Sequence, residues 1–192
     1  MRLCFATNNL HKLAEVQHLV GDNFELAGLG SIGHQGDIPE DYETMEENSL
    51  QKAQFIYKKY NINCFADDSG LEVNALNGNP GVYSARYAGP QRNSIDNNNK
   101  VLKNMHGVIE RSARFRAVIS LILNGDEYQF EGVVNGSIVA EPTGQEGFGY
   151  DPIFIPVGSD VTFAQMSAEE KNSISHRGEA IRKLVDFLSQ YA

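Results

Sequence analysis

The chain has 192 residues, of which 41% are hydrophobic, and a formal net charge of −9. This length predicts one domain over residues 1–192, or one domain with a sub-lobe, and the apolar content excludes global disorder. The negative charge disfavours a nucleic-acid partner, while no apolar run reaches the ~20 residues that cross a bilayer and no signal peptide is apparent, so we expect a cytoplasmic protein without membrane contact.

Strands and helices alternate in the first part of the chain. A short buried strand over Arg2–Ala6 is followed by a polar break and then by apolar residues at helical spacing. A second strand is expected over Phe24–Leu29 and a Gly-rich, acidic loop over residues 30–44, with a helix that begins near Thr44 or Glu46. A strand, polar turn and helix in this order often bind ligands at the carboxyl end of the strand.

The middle of the chain continues this alternation. A strand is predicted over Asn63–Ala66, and the Gly- and Pro-rich residues 74–92 are predicted to be loops and turns. Ile95, Leu102 and Met105 mark one face of a further helix.

A β-hairpin is predicted in the second half. Alternating runs over Ala113–Leu123 and Tyr128–Val134 flank Asn124-Gly125, a pair that tolerates the positive φ angles of a tight turn. Asn135-Gly136 predicts another turn, and residues 142–152 are rich in Gly and Pro. The last helix has an apolar stripe of Ile181, Leu184, Val185 and Leu188. These elements predict an α/β protein with a mixed sheet and helices packed on it.

Asp67-Asp68-Ser69-Gly70 follows a buried strand and offers two carboxylates. If the strand continues, adjacent side chains point to opposite faces and cannot share one ligand. If it ends there, both could reach a Mg²⁺ ion, or one Asp could accept a proton from an attacking water. A solvated turn with local Asp and Ser hydrogen bonds is the alternative.

Several other polar segments allow a functional and a structural interpretation. Thr7-Asn8-Asn9-Leu10-His11-Lys12 could bind a phosphate at a helix start, or could be an N-cap with a solvated lysine. Lys52 could be a phosphate ligand or a surface lysine, and the acidic run around Glu40 suits a helix start. Phe148 could stack on a base or cover a core edge. The polar run from Ser167 to Gly178 could hold an anion or cap the last helix.

The order and residue sequence of these motifs resemble those of the inosine triphosphate pyrophosphatase family, whose members are hydrolases of non-standard purine nucleoside triphosphates. The segments that carry the resemblance span nearly the whole chain: Thr7–Lys12, Glu46–Ala53 (EENSLQKA), Phe65–Gly70 (FADDSG), Gly78–Ala88 (GNPGVYSARYA), Gly147–Asp151 (GFGYD) and Ser173–Arg177 (SISHR).

The resemblance implies an elongated α/β fold with a mixed sheet, two lobes around a central nucleotide-binding cleft, and a homodimer. It implies Mg²⁺-dependent hydrolysis of ITP, dITP and XTP to the monophosphate and pyrophosphate. Asp68 would be the proton acceptor and a metal ligand, with Glu40 as a second metal ligand. Substrate contacts would come from Thr7, Asn8, Asn9, Leu10, His11, Lys12, Lys52, Ser69, Phe148, Gly149, Tyr150, Asp151, Lys171, His176 and Arg177.

Two other functions remain open from the residues. A regulatory module that binds a nucleotide without chemistry would have little need for the Asp67-Asp68 pair. An aspartyl-phosphate phosphatase would need Asp-x-Asp after a strand, and the two aspartates here are adjacent. For the hydrolase, donor side chains such as His176 and Arg177 would favour the C6 oxygen of hypoxanthine and xanthine over the amino group of adenine, by roughly 10⁴-fold or more.

Overall fold

The computed structural model describes residues 1–22 and 24–191, and the chain has a mixed α/β fold within them. The strands are β1 (Arg2–Phe5), β2 (Glu25–Gly28), β3 (Cys64–Val73), β4 (Ser112–Leu123), β5 (Asp126–Ile138) and β6 (Phe154–Pro156). The α-helices are α1 (Leu10–Val20), α2 (Met45–Tyr60), α3 (Ser94–Asn104), α4 (Ala168–Ile174) and α5 (His176–Leu188). None of these helices is both long and apolar enough to cross a membrane.

The strands form one sheet in the order β2-β1-β3-β4-β5-β6. β1 runs parallel to both β2 and β3, and β5 runs antiparallel to β6. Parallel neighbours need a crossover connection, which α1 supplies between β1 and β2. The predicted α/β class with a mixed sheet and flanking helices is confirmed.

Alternate residues of β1 and β3 supply two separate apolar clusters. Phe5 and Phe65 stack with ring centroids 4.7 Å apart and pack with apolar residues of α1 and α5. Cys4 and Cys64 point to the opposite face and pack with apolar residues of α2. This period of two places Asp67 on the face of Phe65, toward α1 and α5, and Asp68 on the face of Cys64 and Ala66, toward α2.

The chain divides into two compact units, each with buried apolar residues. In the second unit, the rings of Phe115 and Phe154 pack edge to face with centroids 4.7 Å apart. The expectation of a single domain with two lobes over residues 1–192 stays a prediction. Unit 1 comprises Met1–Asp68, Ala117–Gly132 and the residues from Arg177 onwards, and unit 2 comprises Ser69–Arg116 and Val133–His176.

The hairpin prediction is confirmed, but the second turn prediction is wrong. Asn124 and Gly125 have φ angles of 54° and 97° and join β4 to β5 directly. Asn135-Gly136 lies inside β5, where Gly136 pairs with Pro156 of β6. A Cβ atom at Gly136 would collide with the Phe154 ring, so this glycine permits a close approach instead of a turn.

Two further boundaries differ from the sequence-based expectation. β3 continues through Val73, so Asp67 and Asp68 lie inside the strand. The polar run after Ser167 is itself helical: the Ser167 hydroxyl accepts from the backbone N–H of Glu170, whose carboxylate accepts from the backbone N–H of Ser167. Ser175 has extended backbone and separates α4 from α5.

Candidate active site

The segment after β1 is organised by an N-cap. The Asn9 side-chain oxygen accepts hydrogen bonds from the backbone N–H groups of His11 at 3.0 Å and Lys12 at 3.2 Å. The Thr7 hydroxyl accepts from the backbone N–H of Asn9 at 3.1 Å. Leu10 and His11 are exposed at the start of α1, while the Asn8 side chain donates to the carbonyl of Gly36 at 3.0 Å. The N-cap interpretation is therefore correct, although Lys12 is not a solvated lysine.

Lys12 belongs to a buried charge cluster centred on Asp67. Its Nζ lies 3.1 Å and 3.0 Å from the two carboxylate oxygens of Asp67. Arg177 Nε donates to Asp67 at 3.2 Å, and Arg177 Nη1 lies 2.5 Å from the Glu15 carboxylate. Burial alone would raise the pKa of Asp67, but Lys12, Arg177 and Lys52 outweigh it and hold that pKa far below its usual range. Asp67 is therefore an ionised anchor for two cations.

Asp68 points to the other face of β3, toward α2, as the period of two requires. Its carboxylate accepts a hydrogen bond from the Asn48 side chain at 3.2 Å. Burial raises the pKa of Asp68; Lys52 and Lys12 oppose the increase, and Glu40 and Asp67 add to it. The two aspartates therefore have different surroundings: nearby cations hold Asp67 ionised, whereas burial opposes the ionisation of Asp68.

Lys52 connects the acidic loop to β3. Its Nζ donates to the Glu40 carboxylate and, at 2.6 Å, to the backbone carbonyl of Asp67. Burial lowers the pKa of Lys52, but Asp68, Glu40 and Asp67 outweigh this effect and raise it above the usual value. Lys52 is a buried, charged residue of unit 1 and not a surface lysine.

The carboxylates of unit 1 fit a metal that takes few protein ligands. Among residues 1–22 and 24–191, no group of three or more His, Cys, Asp or Glu side chains is arranged to hold a metal ion. Mg²⁺ usually needs only one or two protein carboxylates, because water and substrate phosphates complete its coordination. Asp68 fits this role as a buried carboxylate whose ionisation is opposed by burial and favoured by nearby positive charge. Glu40, the second predicted ligand, accepts a hydrogen bond from Lys52.

Unit 2 contains an aromatic ring with a charged pair beside it. The Phe148 backbone N–H donates to the Asp151 carboxylate at 2.8 Å, and Lys171 Nζ donates to the same carboxylate oxygen at 2.6 Å. Lys171 Nζ also lies 4.7 Å from the centroid of the Phe148 ring. Asp151 and Lys171 are buried, and Phe148 is half-buried. This arrangement offers an apolar ring face and a cationic donor at one place.

The other residues predicted to bind substrate have partners of their own. His176 is buried and stacks on Phe115, with ring centroids 4.8 Å apart. The Tyr150 hydroxyl donates to the Ser84 carbonyl at 2.8 Å, and Ser69 lies half-buried in β3. Arg177 donates to Asp67 in unit 1, and its predicted contact with the base stays a prediction.

Three residues of the unit 1 site were not assigned a role from the sequence. Asp67 was considered only as part of a pair, and its separate role follows from strand alternation once β3 continues. Glu15 lies almost one helical turn after Lys12, and Asn48 lies one turn before Lys52. Helical spacing from each lysine would have found both residues.

Comparisons with known proteins give a consistent result. The model of the Ham1 family matches residues 3–187. The chain is 49% identical to the dITP/XTP pyrophosphatase of Flavobacterium johnsoniae, covering 98% of each, and 50% identical to that of Porphyromonas gingivalis, covering 97% of each. The structure of the Staphylococcus aureus Ham1 protein superposes with a TM-score of 0.91 at 38% identity, covering 100% of both chains.

Proposed function

The chain belongs to the Ham1 family, and on that premise we propose that it hydrolyses ITP, dITP and XTP to the nucleoside monophosphate and pyrophosphate. The observation that carries this proposal is that the buried Asp68 carboxylate, on the α2 face of β3, belongs to the same unit as the cations Lys12 and Lys52. An anionic triphosphate needs both features: positive charge around its oxygens and a group that accepts a proton from water.

The triphosphate end is assigned to unit 1. Lys12 Nζ contacts the Asp67 carboxylate and Lys52 Nζ contacts the Asp67 carbonyl, so both cations would offset phosphate charge without a large rearrangement. Asn9 keeps Lys12 in the first turn of α1, and Asp67 keeps its Nζ in place. Arg177 fixes Asp67 from α5 and thus acts on the lysine through that carboxylate.

Asp68 is assigned the proton transfer. It accepts a proton from the water that attacks the α-phosphorus; the new bond joins that water oxygen to phosphorus, and the bond to the bridging oxygen of pyrophosphate breaks. Asn48 orients the Asp68 carboxylate through its amide. We assign Mg²⁺ to Asp68, with Glu40 as the second candidate ligand; when bound, the ion supplies positive charge opposite the phosphate oxygens.

The base end is assigned to unit 2. Phe148 offers a ring face for stacking, and Lys171 lies beside it as a side chain that only donates hydrogen bonds. A 6-oxopurine presents an acceptor at C6, whereas adenine presents an amino donor. A donor-lined site therefore favours hypoxanthine and xanthine over adenine.

We expect purified protein with Mg²⁺ to release pyrophosphate from ITP, dITP and XTP. The ratio kcat/KM for ATP should be lower than for ITP by at least ~100-fold, since an unpaired donor in the site disfavours adenine. Ion chromatography distinguishes pyrophosphate from phosphate as the product. Comparable turnover of ATP and ITP would contradict the proposed base choice, and nucleotide binding without pyrophosphate release would identify a binding module instead of a hydrolase.

Phe148→Ala is expected to weaken substrate binding more than turnover. Stacking of a base on an aromatic ring contributes about 1–3 kcal/mol, so KM for ITP should rise roughly 5- to 150-fold while kcat changes little. Phe148→Tyr keeps a ring at this position and serves as the matched control with a KM close to that of the wild type. An unchanged KM in Phe148→Ala would show that the base does not stack on this ring.

A further inference from the structure

Helix α3 places a polar residue where its own apolar pattern requires a hydrophobic one. Asn98 precedes Val101 by three residues and Met105 by seven, so it continues their core-facing stripe. All three residues are buried, and Asn98 is only 6% exposed. Ile95, which the sequence predicts on the apolar face, is instead 70% exposed. The helix therefore buries an amide and exposes an apolar side chain.

The buried amide is only half satisfied. Asn98 Nδ2 donates to the carbonyl oxygen of Gly149 at 3.0 Å. Its Oδ1 is buried and has no hydrogen-bond partner among the described residues. A buried acceptor without a donor costs free energy, and a leucine at this position would avoid that cost. A role in stability alone does not account for asparagine here, so the bond to Gly149 is the feature that needs a functional explanation.

Gly149 lies between Phe148 and Tyr150, in the loop assigned to base binding. It has a φ of 65°, and without a side chain its backbone can rotate over a wide range. The Asn98 amide holds the carbonyl of Gly149 and so limits this rotation. The next residue, Tyr150, is fixed by its own hydroxyl, which donates to the Ser84 carbonyl at 2.8 Å.

The neighbouring asparagine supports the same arrangement. Asn97 Nδ2 donates to the carbonyls of Ser84 at 3.3 Å and Ala85 at 3.1 Å, and its Oδ1 accepts from the backbone N–H of Ala88 at 2.6 Å. Asn97 thus fixes the segment that receives the Tyr150 hydroxyl, while Asn98 fixes the loop itself. Two adjacent side chains of α3 hold both sides of the contact between Tyr150 and Ser84.

We propose that Asn98 is a positioning residue for recognition of the purine base: its amide locks the Gly149 carbonyl and thereby sets the orientation of the Phe148 ring. The proposal rests on the proposed function, because it takes Phe148 as the stacking residue. Asn98 acts through the loop and has no assigned contact with the reacting phosphates. Its loss should therefore weaken ligands that carry a base and leave ligands without a base unaffected.

The test compares Asn98→Leu with Asn99→Leu, the same substitution at an exposed position of the same helix. Binding of IMP, which carries the base, and of inorganic tripolyphosphate, which does not, is measured by calorimetry, and turnover of ITP is measured separately. We expect the Kd of IMP to rise about tenfold in Asn98→Leu, the size of one lost hydrogen bond. The Kd of tripolyphosphate and the kcat for ITP should stay within about twofold to threefold, and Asn99→Leu should match the wild type.

An unchanged Kd of IMP in Asn98→Leu, or an equal weakening of IMP and tripolyphosphate, would overturn the proposal, because a general structural defect does not distinguish the two ligands. If Asn98→Leu does not fold, Asn98→Ser removes the reach to Gly149 with no added apolar bulk, and the same comparison applies.

The two proposals can fail separately. Wild-type protein that binds IMP but does not hydrolyse ITP contradicts the proposed function, and the Asn98 comparison can still be made on IMP binding.

Discussion

Asp68→Asn is expected to remove pyrophosphate release from ITP almost completely while the protein stays folded. An amide can accept the hydrogen bond from Asn48 but cannot take a proton from water, and it is a poor ligand for a divalent cation. General-base catalysis alone contributes roughly 10²–10⁴-fold, so kcat should fall by at least that factor. A steady-state assay of pyrophosphate release measures the loss, with Asp126→Asn at an exposed position of β5 as the matched control.

The thermal stability of Asp68→Asn should not fall together with its activity. The native pKa of Asp68 is raised by burial and by nearby carboxylates, so its ionisation costs the native state free energy as the pH rises above the unfolded-state value. Asparagine carries no charge and removes that cost, while Lys52 keeps the Glu40 carboxylate as an anionic partner. In the presence of a chelator at neutral pH, we expect the melting temperature of Asp68→Asn to equal or exceed that of the wild type. A fully active Asp68→Asn protein would contradict the assigned role, and an inactive but unfolded one would leave the loss of activity unrelated to chemistry.

The sequence predicted the fold class more reliably than the surroundings of each site residue. Hydrophobic periodicity and the Asn124-Gly125 turn are local signals, and they located most of the elements and the hairpin but missed α4 and β6. The end of β3 could not be predicted from local sequence. Asp67 and Asp68 are poor strand formers, and partners on other elements hold them in the strand. Tertiary ion pairs therefore override the local preference for a turn.

The partners of Arg177 could not be predicted from local sequence either. The SISHR motif indicates a functional segment, but the residue's partners are Asp67 and Glu15, which lie 110 and 162 positions earlier in the chain. Nothing in the spacing of the motif distinguishes a base ligand from a residue that anchors a carboxylate. Asn98 is harder still, since an asparagine in a helix is ordinarily predicted to face solvent, and its burial is known only from the packing of α3.

The largest effect on stability is expected at Asp67. Asp67→Asn leaves the partly buried Lys12 and the buried Arg177 beside a neutral amide, and the Glu15 carboxylate remains as an anionic partner of Arg177. Breaking a buried ion pair by removing one partner costs about 3–5 kcal/mol, because the remaining charge is left uncompensated. Urea unfolding at pH 7 should show a loss of this size. Glu25→Gln is the matched control: its ion pair with Arg2 is exposed on both sides, and such pairs contribute about 0–1 kcal/mol.

The pH dependence separates charge from packing in this result. The native pKa of Asp67 is far below the unfolded-state value of about 3.9. Its stabilising contribution is therefore complete above the unfolded-state pKa and is lost progressively as the pH falls from there toward the native pKa. The difference in unfolding free energy between wild type and Asp67→Asn should therefore shrink as the pH falls below about 4. A difference that stays constant down to pH 3 would show that Asp67 stabilises by packing and not by its charge.

Lys12→Met in the Asp67→Asn background provides the decisive comparison, because it removes an uncompensated cation. If charge is the cause, the double variant should be more stable than Asp67→Asn alone, whereas independent packing defects would make it less stable.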